Sequence, residues 1–165
     1  VADSGPFIHL AIVGQFLLLK RYFHKLLIIA QVYDEVVAKG KGMSGDPELR
    51  QAVRDGWVAV EPVTDPALVQ RLTAPNISEI DAAVVACALE KRASLLLADD
   101  SAVRELAERE GLSVMGSVGI LTQACLEGTV RGLKPLLDQL VATGFHLDPN
   151  GQVYQNALKK VGEIH

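Results

Sequence analysis

Short apolar runs alternate along the chain with stretches whose apolar residues recur at helical spacing. The apolar runs predict a strand that ends at Val1-Ala2 and four more strands at 26–30, 57–60, 95–98 and 113–115. Between them, helices are predicted at 6–13, 16–23, 32–39, 47–54, 79–91 and 102–110. Strands that alternate with helices favour a largely parallel sheet covered on both faces. We therefore predict a three-layer α/β/α sandwich with a mostly parallel sheet of about five strands.

After Gly116 the pattern becomes helical. Helices are predicted at 117–127, 133–143 and 153–161, separated by glycines and by a turn at 148–151. We expect one domain over residues 1–165, of which about 117–165 form a helical C-terminal extension packed on the rest. The sequence leaves open whether this extension also mediates dimerisation.

The composition limits the possible functions. The formal net charge is −4, so bulk electrostatics does not favour tight binding of nucleic acid, and any RNA contact must come from a local patch, a second subunit or bound cations. Cys87 and Cys125 lie in apolar helical runs and form neither a disulfide framework nor a zinc site, which favours a reducing cytoplasm. No apolar run reaches the ~20 residues that span a membrane, and no signal peptide is visible, so we expect no membrane contact. Because the chain opens at Val1 rather than at a methionine, we expect the first strand to lack a few residues.

Acidic residues follow two of the predicted strands. Asp3 comes directly after the first strand, and Asp99 and Asp100 come directly after the fourth. In a parallel sheet, ligands bind in the crevice beyond the carboxyl ends of the strands. Asp81 lies at the start of the helix that leads into the fourth strand, and Glu35 lies in the helix after the second.

A cluster of such acids must be neutralised, because like charges a few ångströms apart cannot all stay ionised cheaply. Oxygen ligands without a His or Cys partner favour Mg²⁺ or Mn²⁺ over Zn²⁺. Metals of this kind activate water and offset charge on the oxygens of a phosphodiester. The candidate metal-binding and catalytic residues are Asp3, Glu35, Asp81, Asp99 and Asp100.

Each acid also has a purely structural interpretation. Helix N-cap positions account for three of them, namely Asp3, Asp99 and Asp100. Asp81 completes a relaxed capping box with Ser78, and Glu35 could pair with Lys39 at i,i+4. Glu79 lies two residues before Asp81, about 200° away on a helix, so both should not face one metal and Asp81 is favoured.

Other features point less clearly to a site. The helix start at Gly116–Gly119 could offer N–H groups to a phosphate, although tight packing explains its glycines equally well. The histidines are scattered without metal-ligand spacing and are interpreted as surface or core residues: His9, His24, His146 and His165.

The order of the acids resembles that of the PIN-domain nuclease family. The opening VADSGPFIHLA is similar to the family's first strand and its Asp, and IIAQVYDEVV resembles its second helix with a Glu. ISEIDAAVVACALEKRASLLLADD is similar to the core signature, an Asp opening an alanine-rich helix and then a strand ending in Asp. GLSVMGSVGIL and GLKPLLDQLVATGFHLDP resemble a prokaryotic PIN-like branch close to toxin nucleases. The resemblance covers nearly the whole chain.

This resemblance implies a Mg²⁺- or Mn²⁺-dependent endoribonuclease acting on RNA, often the toxin of a toxin–antitoxin pair with a small antitoxin protein as partner, and often a homodimer. By position, the family's acids match Asp3, Glu35, Asp81 and one of Asp99 or Asp100. One departure concerns the strand before the last acid. The family usually has a Ser or Thr two residues ahead of that acid, where Leu97 or Ala98 stands here.

Two alternatives to a nuclease remain open. The first is a PIN-fold binding or scaffold protein without useful catalysis, which the missing Ser or Thr favours. The second is a receiver-like phospho-acceptor domain, which is also doubly wound and acid-bearing. A receiver carries its acidic pair after the first strand, whereas the pair Asp99-Asp100 is late in this chain.

Overall fold

Four short parallel strands organise the protein, which is described over residues 1–165 by a computed structural model. They pair as two separate parallel ladders, β1 with β2 and β3 with β4. Their bounds are β1 Leu26–Ile28, β2 Val58–Val60, β3 Leu96–Leu97 and β4 Val114–Met115.

The N-terminal residues connect the two ladders. The amide of Ala2 donates to the carbonyl of Leu27 in β1 at 3.0 Å, and the amide of Asp3 donates to that of Leu97 in β3 at 2.9 Å. Ala2 and Leu97 form an isolated parallel bridge. The prediction of about five strands is therefore confirmed in part, because four are regular strands and the N-terminal segment contributes one bridge. The carboxyl ends of all these segments lie at one edge.

Every predicted helix is present, with ends that differ by at most two residues. The helices are α1 Ser4–Ile12, α2 Leu17–Phe23, α3 Ala30–Tyr33, α4 Asp46–Arg54, α5 Pro66–Leu72, α6 Glu79–Glu90, α7 Ser101–Arg109, α8 Ser117–Leu126, α9 Leu133–Ala142 and α10 Gln152–Lys160. The predicted helix 32–39 differs in type, because α3 continues as a π-helical segment over Asp34–Lys39.

Helix α5 was not predicted. The carboxylate of Asp65 accepts a hydrogen bond from the amide of Leu68 at 3.0 Å, and Pro66 occupies the first turn. An N-cap Asp followed by Pro is a helix-start signal. The sequence therefore carried enough information to find this helix.

The helices pack around one hydrophobic core. Helix α6, apolar nearly all round in sequence, is buried over residues 82–88 and contacts α5 and α7. The C-terminal helices α8, α9 and α10 contact one another, and α8 also packs on α1. The core cluster contains 44 buried residues and extends from Val1 to Leu158, so both the strands and the C-terminal helices contribute to it. No helix combines the length and the apolar character that a membrane span requires.

Candidate active site

A pocket of about 490 Å³ opens at the edge where the strand segments end. We call it the acidic pocket. It is lined by all five acids singled out in the sequence, Asp3, Glu35, Asp81, Asp99 and Asp100. Phe145 is the one hydrophobic residue among the twelve that line it, and no lysine or arginine lines it. The pocket therefore gathers carboxylates from distant parts of the chain without a permanent positive charge.

Among the five acids of the acidic pocket, Asp3 is the most deeply buried residue, at 8% exposure. It holds the N-cap position of α1, yet its side chain accepts no capping hydrogen bond. The pKa of Asp3 is raised to about 6. Burial is the largest cause, the backbone of Ser4 acts in the opposite direction, and the carboxylates of Asp81, Glu35 and Asp99 add smaller upward contributions. The pKa shift is what a group of like charges at low solvent exposure produces.

Asp99 is held by hydrogen bonds from two helices. His9 in α1 places Nδ1 2.7 Å from its Oδ2. At the start of α8, Ser117 donates its amide to Oδ1 and its hydroxyl to Oδ2, both at 2.6 Å. A Cβ on Gly116 would lie 2.8 Å from Oδ1, and one on Gly5 3.1 Å from Oδ2. Because glycine has no Cβ, these two positions leave the space that the carboxylate of Asp99 occupies.

These contacts change two interpretations made from the sequence. The first amide of α8, that of Ser117, donates its hydrogen bond to the carboxylate of Asp99. It is therefore already used within the protein and is not free to bind a phosphate. The same residue brings a hydroxyl to the last acid from the neighbouring strand-to-helix turn. The family's Ser or Thr ahead of that acid is missing, but a hydroxyl reaches Asp99 by another route.

Asp100 has a different role from its neighbour in the sequence. It is exposed, and its Oδ1 accepts a hydrogen bond from the amide of Val103 at 3.0 Å, which caps α7. The side chain of Asp99 is only 7% exposed. The N-cap interpretation is therefore confirmed for Asp100, while Asp99 directs its carboxylate inward.

Asp81 combines both interpretations. Its Oδ2 accepts hydrogen bonds from the hydroxyl of Ser78 at 2.7 Å and from the Ser78 amide at 3.2 Å, so the capping box of α6 is formed. The same carboxylate lines the acidic pocket and contributes to the raised pKa of Asp3. Glu79 lines a different pocket, so the predicted separation of Glu79 from Asp81 is confirmed.

Glu35 lies in the π-helical segment and is exposed where it lines the pocket. The suggested ion pair with Lys39 is absent from the salt bridges of the protein. In a π-helix hydrogen bonds run from i to i+5, so a residue four positions on does not lie directly above Glu35. Single π segments are frequent at functional sites.

Two histidines interpreted as surface or core residues line the acidic pocket, namely His9 and His146. The ring of His9 packs against that of Phe145, with 4.4 Å between the centroids. Phe145 and His146 follow α9 in the C-terminal part of the chain, and no spacing in the sequence relates them to the acids. Sequence reasoning therefore missed one wall of the pocket.

The donor set agrees in chemistry with a hard divalent cation. The acids offer oxygen ligands, and no lysine or arginine lines the pocket beside them. As the side chains stand, no group of three or more His, Cys, Asp or Glu is close enough to hold a metal ion. Cation binding would therefore require at least one of the carboxylates to turn toward the others.

Comparison with known proteins gives one match. A family model described as DUF3368, a PIN domain, matches residues 1–163 and so includes every residue that lines the acidic pocket. No curated protein and no solved structure is significantly similar to the chain.

Proposed function

The chain belongs to the PIN-domain family, and from this premise we propose that it is a metal-dependent endoribonuclease that hydrolyses phosphodiester bonds of RNA. Members of the family are nucleases in general, which supports phosphodiester hydrolysis as the reaction. The observation that carries the proposal is the acidic pocket, in which carboxylates from four separate segments converge without a lysine or arginine.

The cation that we propose is Mg²⁺ or Mn²⁺, held by Asp3, Asp81 and Asp99, with Glu35 as a further ligand or as the group that positions the attacking water. When bound, such a cation supplies positive charge that favours deprotonation of water and offsets charge on the phosphodiester. Asp3 has a pKa of about 6, so part of its population must release a proton when a cation binds.

Other residues orient these ligands. Ser117 and His9 fix Asp99 through three hydrogen bonds, which hold its carboxylate in one orientation. The Ser78 hydroxyl holds Asp81 in the same way. Such supporting contacts orient the ligand side chains in advance, so that fewer side-chain rotations are lost when an ion binds. We propose that Glu35, the one exposed residue among the four proposed ligands, makes the largest adjustment.

The proposed partners follow from charge and from the resemblance to toxin nucleases. RNA is the substrate, a small antitoxin protein is the proposed inhibitor, and a homodimer is the proposed assembly. A protein of net charge −4 is a poor non-specific ligand for RNA, whereas its acidic pocket complements a basic side chain. Copies of the protein purified from the native host should carry a stoichiometric small protein that inserts a basic side chain among the carboxylates. Repeated purification without one would contradict the toxin role.

The test of the nuclease activity is cleavage of a labelled single-stranded RNA. We expect cleavage with Mg²⁺ or Mn²⁺ and none with EDTA, and we expect Asp3→Asn to lower the rate about 100-fold or more, because a ligand of the cation is lost. Asp34→Asn is the matched control. It removes the same charge from an exposed acid that does not line the pocket, so its rate should equal that of wild type.

Cleavage that persists in EDTA, with protein free of other nucleases, would contradict a cation-dependent reaction. Absence of metal-dependent cleavage in the wild-type protein would favour a binding or scaffold role for the PIN fold. The receiver-like alternative loses its support, because the family that matches residues 1–163 is the PIN domain.

A further inference from the structure

A second pocket, of about 890 Å³, lies beside the acidic pocket at the same edge of the strands, and we call it the groove. No residue lines both pockets, but two elements contribute residues to each of them. Helix α6 carries Glu79 in the groove and Asp81 in the acidic pocket, and the unit formed by α3 and the π segment carries Gln31 in the groove and Glu35 in the acidic pocket. The two pockets are therefore neighbours in the structure, and a nucleotide next to one bound at the carboxylates lies near the groove.

The walls of the groove are fixed by hydrogen bonds. The carboxylate of Glu90 in α6 accepts from the amide of Asp65 at 2.8 Å and from the amide of Thr64 at 3.0 and 3.1 Å. These bonds tie the segment that precedes α5 to α6. Beside them, Lys91 contacts the carboxylate of Glu61 in the same segment at 2.7 Å. The groove is consequently a formed cavity of the folded protein.

The groove presents neutral polar groups on an apolar surface. Gln31 and Gln70 are exposed and line it, and their side-chain amides are not among the four glutamine amides that hydrogen-bond within the protein. Val63, Val69 and Ile80 line it too, and Ile80 is 37% exposed although it is a large apolar residue. Proteins read the bases of single-stranded RNA through hydrogen bonds to the base edges. Apolar as well as aromatic side chains pack on the faces of bases that have left the stack.

Charge excludes the phosphate from this place. No lysine or arginine lines the groove, and its two ionisable residues are acids. Glu61 is paired with Lys91 at 2.7 Å, whereas Glu79 forms no salt bridge and leaves a negative charge in the groove. A phosphate would meet like charge there, whereas an uncharged base meets no such repulsion and finds partners for its polar edge. The neutral part of a nucleotide is the part that fits.

We propose that the groove binds the nucleobase next to the scissile phosphate, and that Gln31 and Gln70 select which base is bound. Its effect on cleavage rests on the proposed nuclease function, but base binding itself requires no cation and no catalysis. The two ideas can therefore fail separately.

Base binding is tested by nitrogen-15 NMR of the wild-type protein in EDTA, with each of the four ribonucleosides as the probe. The side-chain amide signals of Gln31 and Gln70 should shift with a preference for one nucleoside and stay unchanged with inorganic phosphate. Gln31→Leu and Gln70→Leu should each weaken binding of that nucleoside roughly 3- to 10-fold, the loss expected for a neutral hydrogen bond. Gln152→Leu is the matched control, since Gln152 is exposed in α10 and lines neither pocket.

Amide signals that shift with none of the nucleosides would overturn the proposal, and so would leucine variants that bind like wild type. Signals that respond to a cationic peptide alone would assign the groove to a protein partner and overturn it as well. In cleavage of an RNA with randomised sequence, the same two variants should lose roughly 3- to 10-fold of the base preference beside the cleaved bond. Nucleoside binding without metal-dependent cleavage would contradict the nuclease function and leave the groove assignment standing.

Discussion

Asp3 is the residue at which burial and like charge act together. Its pKa rises from an ordinary value of 3.8 to about 6, so the folded protein binds this proton more tightly than the unfolded chain. For a carboxyl group with a raised pKa, the favourable contribution to stability is fully present below about pH 4 and is lost as the pH rises through 6. At pH 8 the ionised group destabilises the cation-free protein by on the order of 3 kcal/mol.

Replacing Asp3 with Asn removes this ionisation. In EDTA at pH 8 we expect Asp3→Asn to melt roughly 5–10 °C above wild type, and at pH 4 we expect the two proteins to melt at similar temperatures. Thermal melting followed by circular dichroism at both pH values measures the difference.

Asp34→Asn controls for the change in net charge, because Asp34 is exposed and belongs to no salt bridge. It should leave the melting temperature nearly unchanged at both pH values. An Asp3→Asn protein that melts at or below the temperature of wild type at pH 8 would contradict the prediction. It would show that the ionised carboxylate of Asp3 does not destabilise the folded protein.

At the scale of the element, the start of α7 separates two adjacent acids. The first amides of a helix have no partner within the helix, and the Val103 amide of α7 is one of them. It donates its hydrogen bond to the carboxylate of Asp100. Asp100→Ala should therefore lower the free energy of unfolding by about 0.5–2 kcal/mol, whereas Asp100→Asn keeps an N-cap oxygen and should be nearly neutral. Chemical denaturation measures both.

The same two variants test which of the adjacent acids belongs to the active site. Because Asp100 caps a helix and Asp99 points inward, RNA cleavage should survive in Asp100→Asn and be lost in Asp99→Asn. Loss of cleavage in Asp100→Asn, with the stability unchanged, would assign Asp100 to the active site.

At the scale of the whole molecule, cation binding is coupled to folding. A ligand that binds only the folded state at ten times its dissociation constant stabilises it by roughly 1.4 kcal/mol. For a domain of this size that is a rise in melting temperature of about 3–6 °C. We expect this rise with Mg²⁺ or Mn²⁺ in wild type and a much smaller one in Asp81→Asn.

Glu79→Gln is the matched variant for this experiment. Glu79 lies on the same turn of α6 and lines the groove instead of the acidic pocket, so its loss should leave the cation-induced rise intact. Equal rises in wild type and Asp81→Asn would remove Asp81 from the cation site and leave it as a helix cap alone.

The sequence by itself determined the elements and the edge at which the acids lie. Hydrophobic periodicity and helix-breaking residues are local properties, so helix and strand bounds followed from them closely. Parallel strands end at one edge, so acids placed after strands had to gather there. That rule brought Asp3 and Asp99 to one pocket, although they are far apart in the chain.

The tertiary structure alone decided what each side chain does at that edge. Asp99 and Asp100 have nearly the same local sequence, and they separate because one meets His9, ninety positions away, while the other meets the amide of its own helix. Phe145 reaches the pocket only because the C-terminal helices pack on the core. Contacts between residues so distant depend on how the elements pack, and a pattern that repeats every two or four residues carries no information about that packing.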